Sequence, residues 1–158
     1  MDSLTQIVLG ASVGEAVLGK KIGNKALLYG AIGGTIPDLD VVFNFFTDTI
    51  TAIELHRGFS HSILFALCMA PILGWLVNKI ERKKNLGWKL WAKLFFWSLI
   101  THPLLDVFTT WGTQLFWPFE LKLVFNSVFV IDPFYTLPFL ICCVLLMFYK
   151  KEAKTRRR

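Results

Sequence analysis

The chain contains three histidines, His56, His61 and His102, and all of them stand at or near the edges of apolar runs with aspartates close by. Within "THPLLD", His102 and Asp106 are four residues apart. On a helix, such residues project from one face a turn apart and can reach one cation. A mutual hydrogen bond is the simpler alternative. An ionisable side chain inside an apolar span costs about 2.5–3.5 kcal/mol on insertion scales and is usually retained for function. In "HRGFSHS", Gly58 separates His56, in a loop, from His61 at a helix start, with Ser60 the expected N-cap. Loop-then-helix placement can aim both imidazoles at one point, and neutral imidazole suits zinc, iron or manganese. Arg57 between them offers a planar fork for phosphate or carboxylate, or else a snorkelling interfacial cation. In "PDLD", Asp38 and Asp40 follow a proline that should end a helix; they can bind metal, or Asp40 can cap the next segment.

The candidate metal ligands are therefore Asp38, Asp40, His56, His61, His102 and Asp106. A catalytic zinc needs about three protein ligands. Six candidates leave room for a second metal or a general base, so Asp40 and Asp106 are also candidate catalytic residues, with Arg57 as a substrate anchor.

These residues must be positioned by apolar helices. Hydrophobic residues make up 54% of the 158, and the mean hydropathy of +0.54 exceeds that of an ordinary soluble protein. The expected class is all-α: a polytopic membrane protein with about five apolar helical segments, 4–18, 26–36, 63–77, 90–108 and 134–149. The first two are short for a full span and are expected to be half-buried or tilted against each other. Gly10 and Gly14, then Gly30 and Gly34, stand in GxxxG spacing and favour close packing within the chain over dimerisation. Residues 1–149 form the membrane-embedded domain and residues 150–158 a basic tail. Cys68, Cys142 and Cys143 lie in apolar runs and read as packing residues.

The net charge of +6 comes from three basic clusters, around Lys20 to Lys25, Lys79 to Lys89 and Lys150 to Arg158. They flank apolar segments and accompany no nucleic-acid motif, so they read as topology determinants rather than a nucleic-acid surface. If all three are cytoplasmic, the C-terminus is cytoplasmic and the site candidates converge in the opposite half, together with Asp2, Gln6 and Asp132. Trp88 and Trp91 are then expected at one membrane surface, and Trp111 and Trp117 at the other. No cleavable signal peptide is expected at the N-terminus.

Taken in order, "MDSLTQIVLGASVGEAVLG", "PDLD", "HRGFSHS", "THPLLDVFTTWGTQLFWPF" and "VIDP" resemble the YdjM-type inner-membrane metal-dependent hydrolases, over roughly residues 1–140. The resemblance implies a multi-pass protein of the bacterial inner membrane. It points to Asp38, Asp40, His56, His61, His102 and Asp106 as the metal site, with zinc the first expectation and manganese or iron as alternatives. Many relatives carry a histidine where this chain has Gln6, and Glu15 or Asp132 is a possible substitute. The expected function is hydrolysis of an ester or phosphodiester in a membrane lipid or lipid-like substrate, by water activated on the metal. An ion or solute carrier, or a protein stapled by a structural metal, are the alternatives.

Overall fold

A computed structural model describes residues 2–45, 58–82 and 86–149. Among them are five α-helices: α1 (Ser3–Ile22), α2 (Asn24–Thr35), α3 (Ile63–Ile80), α4 (Trp88–Val107) and α5 (Pro133–Tyr149). Two 3-10 helices, Ile36–Phe45 and Phe59–His61, lie between α2 and α3. An isolated antiparallel bridge pairs Thr113 with Leu123 in the connection from α4 to α5. Most helices run past the apolar segments read from sequence, because lysines at their ends keep a charged head in water while the stem covers apolar surface.

Helix α1 packs most extensively on α2, and α3 on α4. Glycines set the first pairing. A Cβ on Gly10 would lie 2.4 Å from the Gly30 carbonyl oxygen, and one on Gly14 would lie 2.1 Å from that of Ala26. The GxxxG residues thus join two helices of one chain at backbone contact. The main core gathers Leu18, Ala66, Trp91, Leu94, Phe95 and Leu99 where α4 meets α1, α2 and α3. Trp91 is fully buried, with its ring edge-on to Tyr29 at 5.1 Å. The expectation that it marks a membrane surface is corrected: although it lies within one turn of the exposed Trp88, its ring is turned into the core against Tyr29.

The two ends of the bundle differ in chemistry. At one end Lys25 pairs with Glu81, which also accepts a hydrogen bond from Tyr29 at 3.1 Å, and Lys20, Lys21 and Lys89 are exposed nearby in sequence. At the other end the Asp2 amide donates to the Val130 carbonyl at 3.0 Å, and Ile63 to Leu115 at 3.0 Å. Asp132 caps α5, its carboxylate accepting from the Phe134 amide at 3.0 Å. The basic clusters within the described residues therefore share one end and the polar motifs the other.

Helix α3 is long and apolar enough to cross a membrane, with a mean hydropathy of 1.9, and it alone meets that test among the described residues. Helix α5 is apolar but shorter. Both expose many large aliphatic and aromatic side chains, among them Leu67, Trp75, Ile141, Leu145 and Phe148.

Candidate metal centre

Four elements bring the centre together. Pro37 follows the end of α2, and the chain continues as a 3-10 helix that carries Asp38 and Asp40 back over the helix ends. The short 3-10 turn Phe59–His61 delivers His61. Ser62, rather than Ser60, caps α3, accepting from the Phe65 amide at 3.0 Å. Helix α4 supplies His102 and Asp106 a turn apart, both buried.

The Nε2 atoms of His61 and His102 lie 3.2 Å apart. An Asp38 carboxylate oxygen stands 3.5 Å from the first and 3.2 Å from the second. Metal–ligand distances near 2.0–2.2 Å in a tetrahedral zinc site imply ligand–ligand edges of about 3.3–3.6 Å, so this triangle has the dimensions of three ligands around one cation. Asp106 lies across the histidine pair, with Oδ2 3.7 Å from His61 Nε2 and 3.8 Å from His102 Nε2. The histidines and Asp106 are sealed from solvent, whereas the Asp38 side chain is 24% exposed, so the centre opens on the Asp38 side.

Hydrogen bonds beyond the triangle fix which ring nitrogens face it. His102 Nδ1 meets the Gly34 carbonyl oxygen at 2.6 Å; a carbonyl can only accept, so Nδ1 carries the hydrogen. Ser60 gives its hydroxyl hydrogen to Asp40 at 2.8 Å and lies 3.0 Å from His61 Nδ1, from which it accepts. In their neutral forms both rings therefore turn an Nε2 lone pair toward the Asp38 carboxylate. Three acceptors with no hydrogen among them repel unless a cation or a proton sits between, and that donor chemistry fits a divalent metal. Without metal, a proton takes that place. Burial disfavours the His61 imidazolium, but hydrogen bonds to Asp38 and Asp40, with the charges of Asp40 and Asp106, outweigh burial and raise its pKa. Burial likewise opposes ionised Asp38, yet hydrogen bonds from His102 and His61 hold its carboxyl below the usual range.

Of the residues singled out from sequence, Asp38, His61, His102 and Asp106 meet at this centre. Asp40 stands on the Nδ1 side of His61, 3.5 Å away. His56 and Arg57 lie outside the described residues. Glu15 is about 13 Å along α1 from Gln6 and faces Gly19 of its own helix, and Asp132 is occupied as a cap. Gln6 takes a supporting role. Its buried amide donates to Asp106 Oδ1 at 3.0 Å, and its Oε1 has no hydrogen-bond partner among the described residues. The Gly34 carbonyl has no side-chain signature: the GxxxG spacing marks Gly34 for close packing but not for a hydrogen bond to His102.

These features define a small helical protein with a buried His/Asp centre, able to hold a cation, at one end of an apolar bundle. The chain belongs to the YdjM inner membrane protein family, whose signature matches residues 1–157. It is similar to YfhP of Bacillus subtilis (strain 168), described as an uncharacterized protein: 28% identity over 145 residues, covering 85% of this chain and 42% of that one. It is also similar to the inner membrane protein YbcI of Escherichia coli (strain K12), with 31% identity over 114 residues covering 72% of this chain and 64% of YbcI. The chain thus matches less than two thirds of either relative's length. No solved structure matches it.

Proposed function

We propose that this protein is a multi-pass, membrane-embedded, metal-dependent hydrolase acting on an ester or phosphodiester of a lipid-like substrate. The observation that carries the reading is the triangle of Asp38, His61 and His102, whose Nε2 atoms are aimed inward by hydrogen bonds at both Nδ1 positions. A divalent cation held there, zinc in the first instance, supplies Lewis acidity and acidifies a water toward neutral pH. Three protein donors leave a coordination position open, which favours catalysis over a structural staple. Asp106 Oδ2, beside both imidazoles, holds a carboxylate that can accept a proton at the reacting edge. Gln6 keeps it in place through Oδ1. Arg57 is the proposed anchor for a substrate phosphate or carboxylate.

The lipid-like substrate is supported by what surrounds the centre. The connection from α4 to α5 exposes Trp111, Phe116, Phe119, Phe125 and Phe129, while its backbone is tied to the helix ends by hydrogen bonds such as Phe125 to Val107 at 2.8 Å. Trp117 lies edge-on to Phe59 at 5.0 Å, two residues before His61. An apolar rim of this kind suits the outer face of a bilayer if the basic end faces the cytoplasm. The test is elemental analysis of purified wild type beside His61→Ala, followed by hydrolysis assays on phospholipid vesicles with the protein reconstituted. Wild type without bound metal at any tested divalent ion, or with full metal in His61→Ala, would overturn the reading.

A further inference from the structure

Away from the metal centre, a cleft of ≈ 390 Å³ opens between α1 and α4, lined by Val13, Ala16 and Val17 of α1 and Lys93, Trp97 and Thr101 of α4. The α4 residues follow one another at i, i+4 and i+8, on a different face of the helix from His102 and Asp106. Thr101 uses its hydroxyl hydrogen on the Trp97 carbonyl of its own helix, at 2.8 Å, so the walls are apolar except at Lys93. Lys93 is exposed, and among the described residues it has no ion-pair partner. Lys93 stands at the end of the cleft nearer the basic clusters: Lys89 lies one turn, about 6 Å, beyond it on α4, and Lys20 one turn beyond Ala16 on α1. On the membrane-embedded reading proposed above, an exposed ammonium at this end of an apolar cleft can reach the membrane surface and meet an anion there. Basic pockets between helices at that side of a membrane bind anionic lipid head groups.

We propose that this cleft binds an anionic phospholipid from the leaflet at the basic end of the bundle, with an acyl chain along Val13, Val17 and Trp97 and the phosphate at Lys93. The site is separate from the metal centre and would hold a lipid as a lasting ligand rather than as a substrate.

Trp97 provides the reporter. The full chain is reconstituted in phosphatidylcholine vesicles, and tryptophan quenching is compared for brominated phosphatidylglycerol and brominated phosphatidylcholine at equal mole fractions. The expected result is stronger quenching by the anionic lipid, with the excess lost in Trp97→Phe. Lys93→Gln should lower the preference about fivefold, the worth of one basic residue near an anionic surface, and Lys93→Arg should retain it. Equal quenching by the two lipids, or an excess that survives Lys93→Gln, overturns the proposal. So does efficient crosslinking of Trp97→Cys between two copies in the same vesicles, which would put a second chain in the cleft. The readout needs neither metal nor turnover, so its failure would leave the metal-centre reading standing.

Discussion

Asp38 and Asp40 are two residues apart and chemically identical, yet the structure gives them different work, and substitution should separate them. Asp38 is a corner of the ligand triangle, 3.2 Å from His102 Nε2 and 3.5 Å from His61 Nε2. Asp40 lies instead beside the opposite nitrogen of His61, 3.5 Å away, and Ser60 links the two with contacts of 2.8 and 3.0 Å. Removing a ligand from a three-donor set should abolish stoichiometric metal binding in Asp38→Ala. Removing an orienting partner should weaken affinity about 10–100-fold, or about 1.4–2.8 kcal/mol, in Asp40→Ala. Ser60→Ala breaks the same relay, so the double variant Ser60→Ala/Asp40→Ala should cost about as much as the larger single change instead of the sum. The assay is competition against a chromophoric chelator in detergent, with circular dichroism confirming helicity. Loss of metal in Asp40→Ala as complete as in Asp38→Ala would make Asp40 a ligand. Strict additivity with Ser60→Ala would mean that the relay does not exist.

Metal affinity should also depend on pH with a definite sign. His61 has a raised pKa, so in the metal-free protein its proton stabilises the fold below about pH 6.5 and that contribution is lost as pH rises through the raised value. Asp38 has a lowered pKa, so its contribution is present above about pH 3.9 and is lost only on strong acidification. Metal must displace the His61 proton, so titration calorimetry in buffers of different ionisation enthalpy should show proton release and tighter binding as pH rises above about 6.5; a dissociation constant flat from about pH 6 to 8 would contradict this. Gly30→Leu should prevent stable folding, since even a Cβ there would lie 2.2 Å from the Gly10 carbonyl oxygen, and a melting temperature within a few degrees of wild type would disprove backbone contact between α1 and α2. Trp117→Ala should lower turnover of a vesicle substrate while leaving metal content intact; equal loss of both would place the aromatic rim in the metal centre itself.

The parts of this centre that were legible in the sequence are those that cost free energy in an apolar chain. His102 and Asp106 stand out because two ionisable groups inside an apolar run demand a reason, and their spacing places them on one face before any tertiary structure is known. The coarse grouping of polar motifs opposite the basic clusters follows from lysine placement, and the helices carry it out: Lys25 meets Glu81 at one end while His61 meets His102 at the other. What the sequence could not yield is register. His61 and His102 are 41 residues apart, and their Nε2 atoms come within 3.2 Å only because α3 and α4 pack antiparallel at one axial offset, fixed by contacts such as Gly74 against the Ala92 backbone. Ser60 reads as a helix cap because serine before an apolar run usually is one, but the helix begins two residues later and frees its hydroxyl for the relay to Asp40. Gln6 reads as a lost ligand because an amide binds zinc poorly, whereas its two amide hydrogens suit it to holding Asp106. The Gly34 carbonyl is the limiting case. Its position depends on two glycine contacts, Gly34 on the α1 backbone and Gly33 on Ser98, where added Cβ atoms would approach Gln6 O to 2.6 Å and Ser98 Cβ to 2.8 Å. The same absence of side chains that lets α2 sit close enough to orient His102 leaves no residue type to signal it, so an essential hydrogen bond of the centre is written in the sequence as two glycines.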